Sequence, residues 1–127
     1  MSYEDFLANV QERGGYDATE AERVTDAVLT ALGERLAPES VGHLADQLPM
    51  PLADVLNDAQ AAARTWGVEE FVSRVAGAVG TDEASAETAA RSVLSALADQ
   101  VSRGELNKLL SQLPAGYAEL FGHPEPA

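Results

Sequence analysis

An all-α fold is predicted, built as two tandem four-helix repeats packed about a pseudo-two-fold axis into one globular helical bundle. Three observations predict it. The chain aligns with itself without a gap when shifted by 65 residues. Its apolar residues recur at three- and four-residue spacing, the period of a helix with one buried face. Residues that start and stop helices fall at matching places in the two halves. Composition agrees: Ala and Leu are plentiful and only 6% of residues are aromatic, which favours helices packed through small side chains over a sheet rich in β-branched and aromatic residues.

The shift pairs Phe6 with Phe71, Val10 with Val75, Gly15 with Gly80 and Asp17 with Asp82. It also pairs Val28-Leu29 with Val93-Leu94, Leu44 with Leu109, and Gln47-Leu48-Pro49 with Gln112-Leu113-Pro114. Most matched positions are apolar, so the duplication preserves a core. The repeats are placed at 3–56 and 68–121, joined by a linker at 57–67 and followed by a flexible tail at 122–127. A four-helix unit this small buries few side chains against the entropy of ordering its backbone. The two repeats are therefore expected to share one interface in a single domain spanning 1–127.

The first helix of each repeat carries Phe6 and Val10, or Phe71 and Val75, on one face. It should stop at Gly15 and Gly80, where a left-handed backbone closes a helix without a Cβ clash. The second and longest helix is expected near 18–36 and 83–101, with Asp17 and Asp82 as N-caps; Glu20 would complete a capping box with Asp17. Ala21, Val24, Val28, Leu32 and Leu36 mark its buried stripe, as do Ala86, Ala89, Val93, Leu97 and Val101 in the copy.

The third helix is expected near 38–48 and 103–113. Pro38 suits the first helical position, where its missing N–H costs nothing, and Ser102 with Glu105 forms a capping box in the copy. Val41, Leu44 and Leu48, and likewise Leu106, Leu109 and Leu113, should face inward. A short fourth helix follows each Pro, with Leu52, Val55 and Leu56 in one copy and Tyr117, Leu120 and Phe121 in the other. In the linker, the fourth helix could continue through Ala59–Arg64 before Trp66 and Gly67.

Charge bounds the partners. Twenty-one acids against eight bases give a net charge of −13. Such a surface repels phosphate, and the sequence holds no basic run, so neither nucleic acid nor an anionic membrane is expected as a partner. The opening residues lack the basic and apolar regions of a signal peptide, and no apolar run approaches the ~20 residues of a membrane span. A cytoplasmic protein is expected.

Catalytic and ligand motifs are missing. With no Cys, disulfides, thiolate metal sites and Cys nucleophiles are excluded. The two histidines, His43 and His123, align with Lys108 and Asp58 and form no ligand pair, so no metal or other cofactor is expected. There is no Gly-x-Ser-x-Gly and no phosphate-binding glycine motif; Gly14 and Gly15 fall where a helix must end. Serines are expected at caps and on polar helix faces. The aligned acids Glu4-Asp5 and Glu69-Glu70, like Glu22 and Glu87, lie in first turns, where the helix dipole favours negative charge. The repeated polar pair Gln47 and Gln112 stands out within an apolar pattern. Either the two amides line a pocket across the axis, or each caps carbonyls freed where Pro49 or Pro114 ends the third helix.

Phe6-Leu7 with Val10, "AVLTAL" (27–32) and "HLADQLP" (43–49), with their copies "FVSRV" (71–75), "SVLSAL" (92–97) and "LLSQLP" (109–114), resemble a bacterial family known as domain of unknown function 2267. The resemblance covers nearly the whole chain, including the Trp66-Gly67 junction. It implies an all-helical bacterial protein and supplies no catalytic residues. The expected role is a non-enzymatic interaction or scaffold module that meets a protein partner through its acidic surface or inter-repeat groove. Two alternatives are a small-molecule binder or enzyme using the crevice between repeats, with Gln47 and Gln112 as candidate residues, and self-association through Leu52, Val55, Tyr117 and Leu120 of the short fourth helices.

Overall fold

The structure, a computed structural model, describes residues 2–59, 66–114 and 116–122. Among these residues it holds eight helices and no strand. They are α1 (Tyr3–Gly14), α2 (Ala18–Arg35), α3 (Pro38–Ala45), α4 (Leu52–Asp58), α5 (Val68–Val79), α6 (Glu83–Gln100), α7 (Arg103–Ser111) and α8 (Tyr117–Leu120). The first residues of α5, α6, α7 and α8 each lie 65 positions after those of α1, α2, α3 and α4.

Local chemistry sets these boundaries. Ser2 caps α1 with a complete capping box: its hydroxyl accepts from the Asp5 N–H, and the Asp5 carboxylate accepts from the Ser2 N–H. Asp17 and Asp82 cap α2 and α6 by accepting from the N–H groups of Glu20 and Ser85. The Ser85 backbone N–H, reinforced by its hydroxyl, holds the Asp82 carboxyl below its usual range. Glu20 does not complete a box; its carboxylate pairs with Arg23 at 2.9 Å instead. Gly15 and Gly80 end α1 and α5 in the left-handed region, at φ 72° and 80°. Pro38 opens α3 at its first turn.

Two expected helix spans are corrected. The third helices end earlier than the apolar pattern implied, at Ala45 and Ser111, because the residue before each Pro is driven out of helical geometry. The fourth helix does not run on through the linker: α4 ends at Asp58 and Ala59 is extended. Residues 60–65 lie outside the described residues, as do His123 and the rest of the tail. Most serines lie at caps or on polar faces, whereas Ser40, Ser92 and Ser95 are buried.

The two 18-residue helices form the centre. They pack on each other; α2 also packs on α1, α4 and α5, and α6 on α1, α5 and α8. Phe6, Val28, Leu29, Leu32, Phe71, Val93, Leu94 and Leu97 are fully buried between them. One contiguous cluster of buried apolar side chains draws on all eight helices. The apolar residues of the short fourth helices belong to it: Leu52, Tyr117 and Leu120 are at most 2% exposed. Val55, on α4, is half-buried. Among the described residues, Met50 is the large apolar side chain that stands in solvent.

Candidate functional site

The two glutamines singled out in the sequence occupy opposite ends of the α3/α7 pair. Gln47 follows α3 and reaches the start of α7. Its Oε1 accepts from the Ser102 N–H at 3.0 Å, and its Nε2 donates to a Glu105 carboxylate oxygen at 3.4 Å. Gln112 caps the end of α7 and reaches the start of α3. Its Oε1 accepts from the Ser40 hydroxyl at 2.6 Å, and its Nε2 donates to the Lys108 carbonyl at 3.4 Å. The amides thus tie each helix end to the beginning of the other helix. Through these contacts α3 and α7 run antiparallel, with one amide at each end of the pair.

A second polar centre is internal. Arg35, at the end of α2, is 8% exposed. Its Nε donates to the Trp66 carbonyl at 2.8 Å, and its guanidinium lies 5.8 Å from the centroid of the Tyr117 ring. The Tyr117 hydroxyl donates to the same carbonyl at 3.1 Å. Burial pushes the Tyr117 phenol above its ordinary pKa, and the Arg35 cation beside it partly opposes that shift. Two donors on one carbonyl fix the chain just before α5. This cation sits among groups that hold the backbone.

Two adjoining surface depressions lie where α5 and α6 begin. A depression of about 600 Å³ is lined by Gly67, Val68, Glu69, Glu70 and Ser73. A second, of about 470 Å³, shares Val68 and Glu69 and adds Val72, Glu83, Ala84 and Glu87. Together they form an open groove lined by Val68 and Val72 and by four carboxylates. Glu70 pairs with Arg74 at 3.3 Å, and Glu87 with Arg91 at 3.1 Å. Arg74 in turn lies over the Trp66 ring, 4.3 Å from its centroid. Among the described residues, no cation pairs with Glu69 or Glu83.

Helix-dipole reasoning accounts for Glu69, Glu70 and Glu87 one helix at a time. It gives no sign that they share a surface with Glu83, because that depends on how α5 packs against α6. The arrangement suits cationic groups carried on a partly apolar segment. Among the described residues no His, Asp or Glu side chains gather as a metal-binding group, and no helix is long and apolar enough to cross a membrane.

These features define a class: a helical bundle, with eight helices among the described residues, whose polar side chains fasten helix ends and whose charged side chains, Arg35 apart, lie at its surface. Residues 3–120 match the family described as uncharacterized conserved protein, DUF2267, and the chain belongs to that family. No curated protein matches the chain.

Proposed function

We propose that the protein is a non-catalytic interaction module that binds a basic protein segment in the acidic groove at the start of α5 and α6. The observation that carries this reading is that four carboxylates line the groove together with the apolar side chains of Val68 and Val72. Opposite charge draws the partner in and sets its orientation. The valines supply the desolvated contact that charge alone lacks. Lys or Arg flanking an apolar residue fits such a groove; an acidic segment is repelled by it and by the net charge of −13.

In this reading the eight helices are two copies of a four-helix unit about a pseudo-two-fold axis, forming one domain. The common 65-residue offset of helix starts supports it. So does the reciprocal packing of α1 on α6 and α2 on α5, with α2 and α6 meeting at the centre. The duplicated frame presents the groove rigidly, which limits the entropy lost on binding. A small-molecule site built on Gln47 and Gln112 gains no support from their positions, because both amides already bind helix ends.

Trp66, the only Trp, adjoins Gly67 on the groove and reports on it. Titrating the chain with a short Lys- and Leu-containing peptide should change Trp emission saturably. Affinity should fall as salt rises, and Glu69→Gln with Glu83→Gln should weaken it by about tenfold, a loss of ~1.4 kcal/mol. Glu12→Gln with Glu39→Gln removes the same charge elsewhere and should leave binding nearly unchanged. Equal weakening by both double variants would mean that net charge, and not this groove, captures the peptide.

A further inference from the structure

The chain is strongly acidic, yet one depression on it is lined by arginines and hydroxyls. It measures about 470 Å³ and lies where the last turn of α1, the middle of α6 and the end of α8 meet. Its lining residues are Arg13, Thr88, Arg91, Ser92, Ser95 and Gly122. Two of the chain's eight basic residues thus line one depression. The four α6 residues, at positions 88, 91, 92 and 95, follow the spacing of a single helix face.

Both guanidiniums are held by the protein. Arg13 Nε donates to the Asn9 side chain at 2.8 Å and Nη2 to Asp99 at 2.9 Å. Arg91 Nη2 donates to Glu87 at 3.1 Å and Nη1 to the Glu119 carbonyl at 3.3 Å. A guanidinium has five N–H donors in a planar fork, so these bonds orient each fork and leave donors on both. The carboxylate partners are about half exposed, at 51% for Asp99 and 55% for Glu87. Such pairs are weak, and a ligand oxyanion can displace or share them. Two of the lining serines are buried. Ser92 is 3% and Ser95 7% exposed, and the Ser95 hydroxyl donates to the Leu120 carbonyl.

The place 65 residues earlier makes the charge more telling. A depression there is lined by Asp26, Thr30, Val55, Asp58 and Ala59. Asp26 stands where Arg91 stands, and Thr30 where Ser95 stands. Position 78, the counterpart of Arg13, is Ala. Two places related by the sequence offset therefore carry opposite charge, so a duplicated packing need does not account for the arginines.

We infer that the Arg13–Arg91 cleft is a binding site for a small oxyanion, a phosphate or carboxylate group carried by a ligand. The two forks supply charge-assisted hydrogen bonds, and the hydroxyls of Thr88, Ser92 and Ser95 line the same cleft. Among the described residues the cleft is lined by two cations, too few for a nucleic-acid surface.

The test is a titration of the full chain with inorganic phosphate and, separately, with succinate at low ionic strength, followed by amide and arginine side-chain NMR. The expected result is a saturable set of shifts at Ser92, Ser95, Gly122 and the two guanidiniums. Arg13→Gln and Arg91→Gln should each weaken binding by about tenfold or more, while Arg91→Lys should retain part of it. Arg103→Gln, an exposed arginine outside the cleft, should leave it unchanged. Arg91 also holds the Glu119 carbonyl, so Arg13→Gln serves as the variant whose fold is least at stake. Tighter binding of phosphate than succinate assigns a phosphorylated ligand, and the reverse order a carboxylate. Shifts that never saturate, or that persist equally in Arg13→Gln and Arg91→Gln, would overturn the site.

Discussion

The Ser40 hydroxyl donates to Oε1 of Gln112 at 2.6 Å, joining two positions 72 residues apart. Its counterpart is the contact from Gln47 Nε2 to Glu105. Ser40 and Glu105 are each the third residue of their helix, and Gln47 and Gln112 each stand just beyond the end of theirs. Each third helix thus sends an amide from its C-terminal end to the first turn of the other. First-turn groups lack intrahelical partners, so a side chain from another helix is a natural way to hold them.

The two ends of this clasp should differ in strength. Ser40 is only 9% exposed, so Gln112→Ala strands a nearly buried hydroxyl and should cost about 1 kcal/mol. Gln47 acts at an exposed helix start where water can replace it, and Gln47→Ala should cost less. Urea unfolding of the variants, with Ser40→Ala to close a double-mutant cycle, checks this. A Ser40–Gln112 coupling indistinguishable from zero would show that the 2.6 Å contact holds nothing together.

The clasp also marks where the sequence stops being legible. Helices and caps were readable because each depends on residues a few positions apart: Asp17 with the Glu20 N–H, Gly15 at a helix end, Val28 and Leu32 on one stripe. The Gln47 contact depends on the relative placement of α3 and α7, which no local pattern encodes. The same holds for Arg13 and Arg91, 78 positions apart in the chain, and for Glu69 beside Glu83. Arg35 was unreadable for another reason. A lone Arg at the end of an amphipathic helix reads as a dipole partner in solvent, and nothing local announces the Trp66 carbonyl that draws it inward. For the α5/α6 groove, acids were visible and their common face was not.

A buried hydroxyl gives a second prediction. Thr25 is fully buried in the centre of α2, and among the described residues its Oγ1 has no hydrogen-bond partner. Thr25→Val replaces that hydroxyl with a methyl group of similar size. An unsatisfied buried polar group costs ~1–3 kcal/mol, so the variant should be more stable by about 1 kcal/mol. Thermal and urea unfolding would both detect the gain. A loss of stability instead would mean that Oγ1 finds a partner, such as a trapped water.

Glycines of α2 and α3 should respond in opposite directions. A Cβ on Gly33 would lie 2.9 Å from the Leu56 carbonyl and 2.6 Å from the Ala59 Cβ. The backbone carbonyl cannot move aside cheaply, so Gly33→Ala should push α4 away from α2 and cost ~1–3 kcal/mol. A Cβ on Gly42 meets nothing within 4 Å. Gly42→Ala should gain about 0.5–1 kcal/mol through helix propensity alone. Similar effects of the two substitutions would mean that α4 does not pack against Gly33 as described.

High pH supplies the last prediction. Burial raises the phenol pKa of Tyr117, as it does for Tyr3 and Tyr16, where nearby carboxylates add to the effect. In the unfolded chain a Tyr ionises near its ordinary pKa of about 10. Between that value and the higher folded value, the native state keeps protons that the unfolded state has lost. The unfolded state then binds fewer protons, so stability decreases with rising pH. The phenols' contribution is fully present below about pH 10 and is lost as pH climbs through the folded pKa values. Tyr117→Phe should reduce that slope, because the buried hydroxyl can no longer ionise. Its cost at neutral pH should stay near ~1 kcal/mol, since the Trp66 carbonyl keeps its bond from Arg35. Urea midpoints across the alkaline range would measure both effects. Identical pH slopes for the variant and the parent chain would mean that Tyr117 ionises in the folded state as readily as in water.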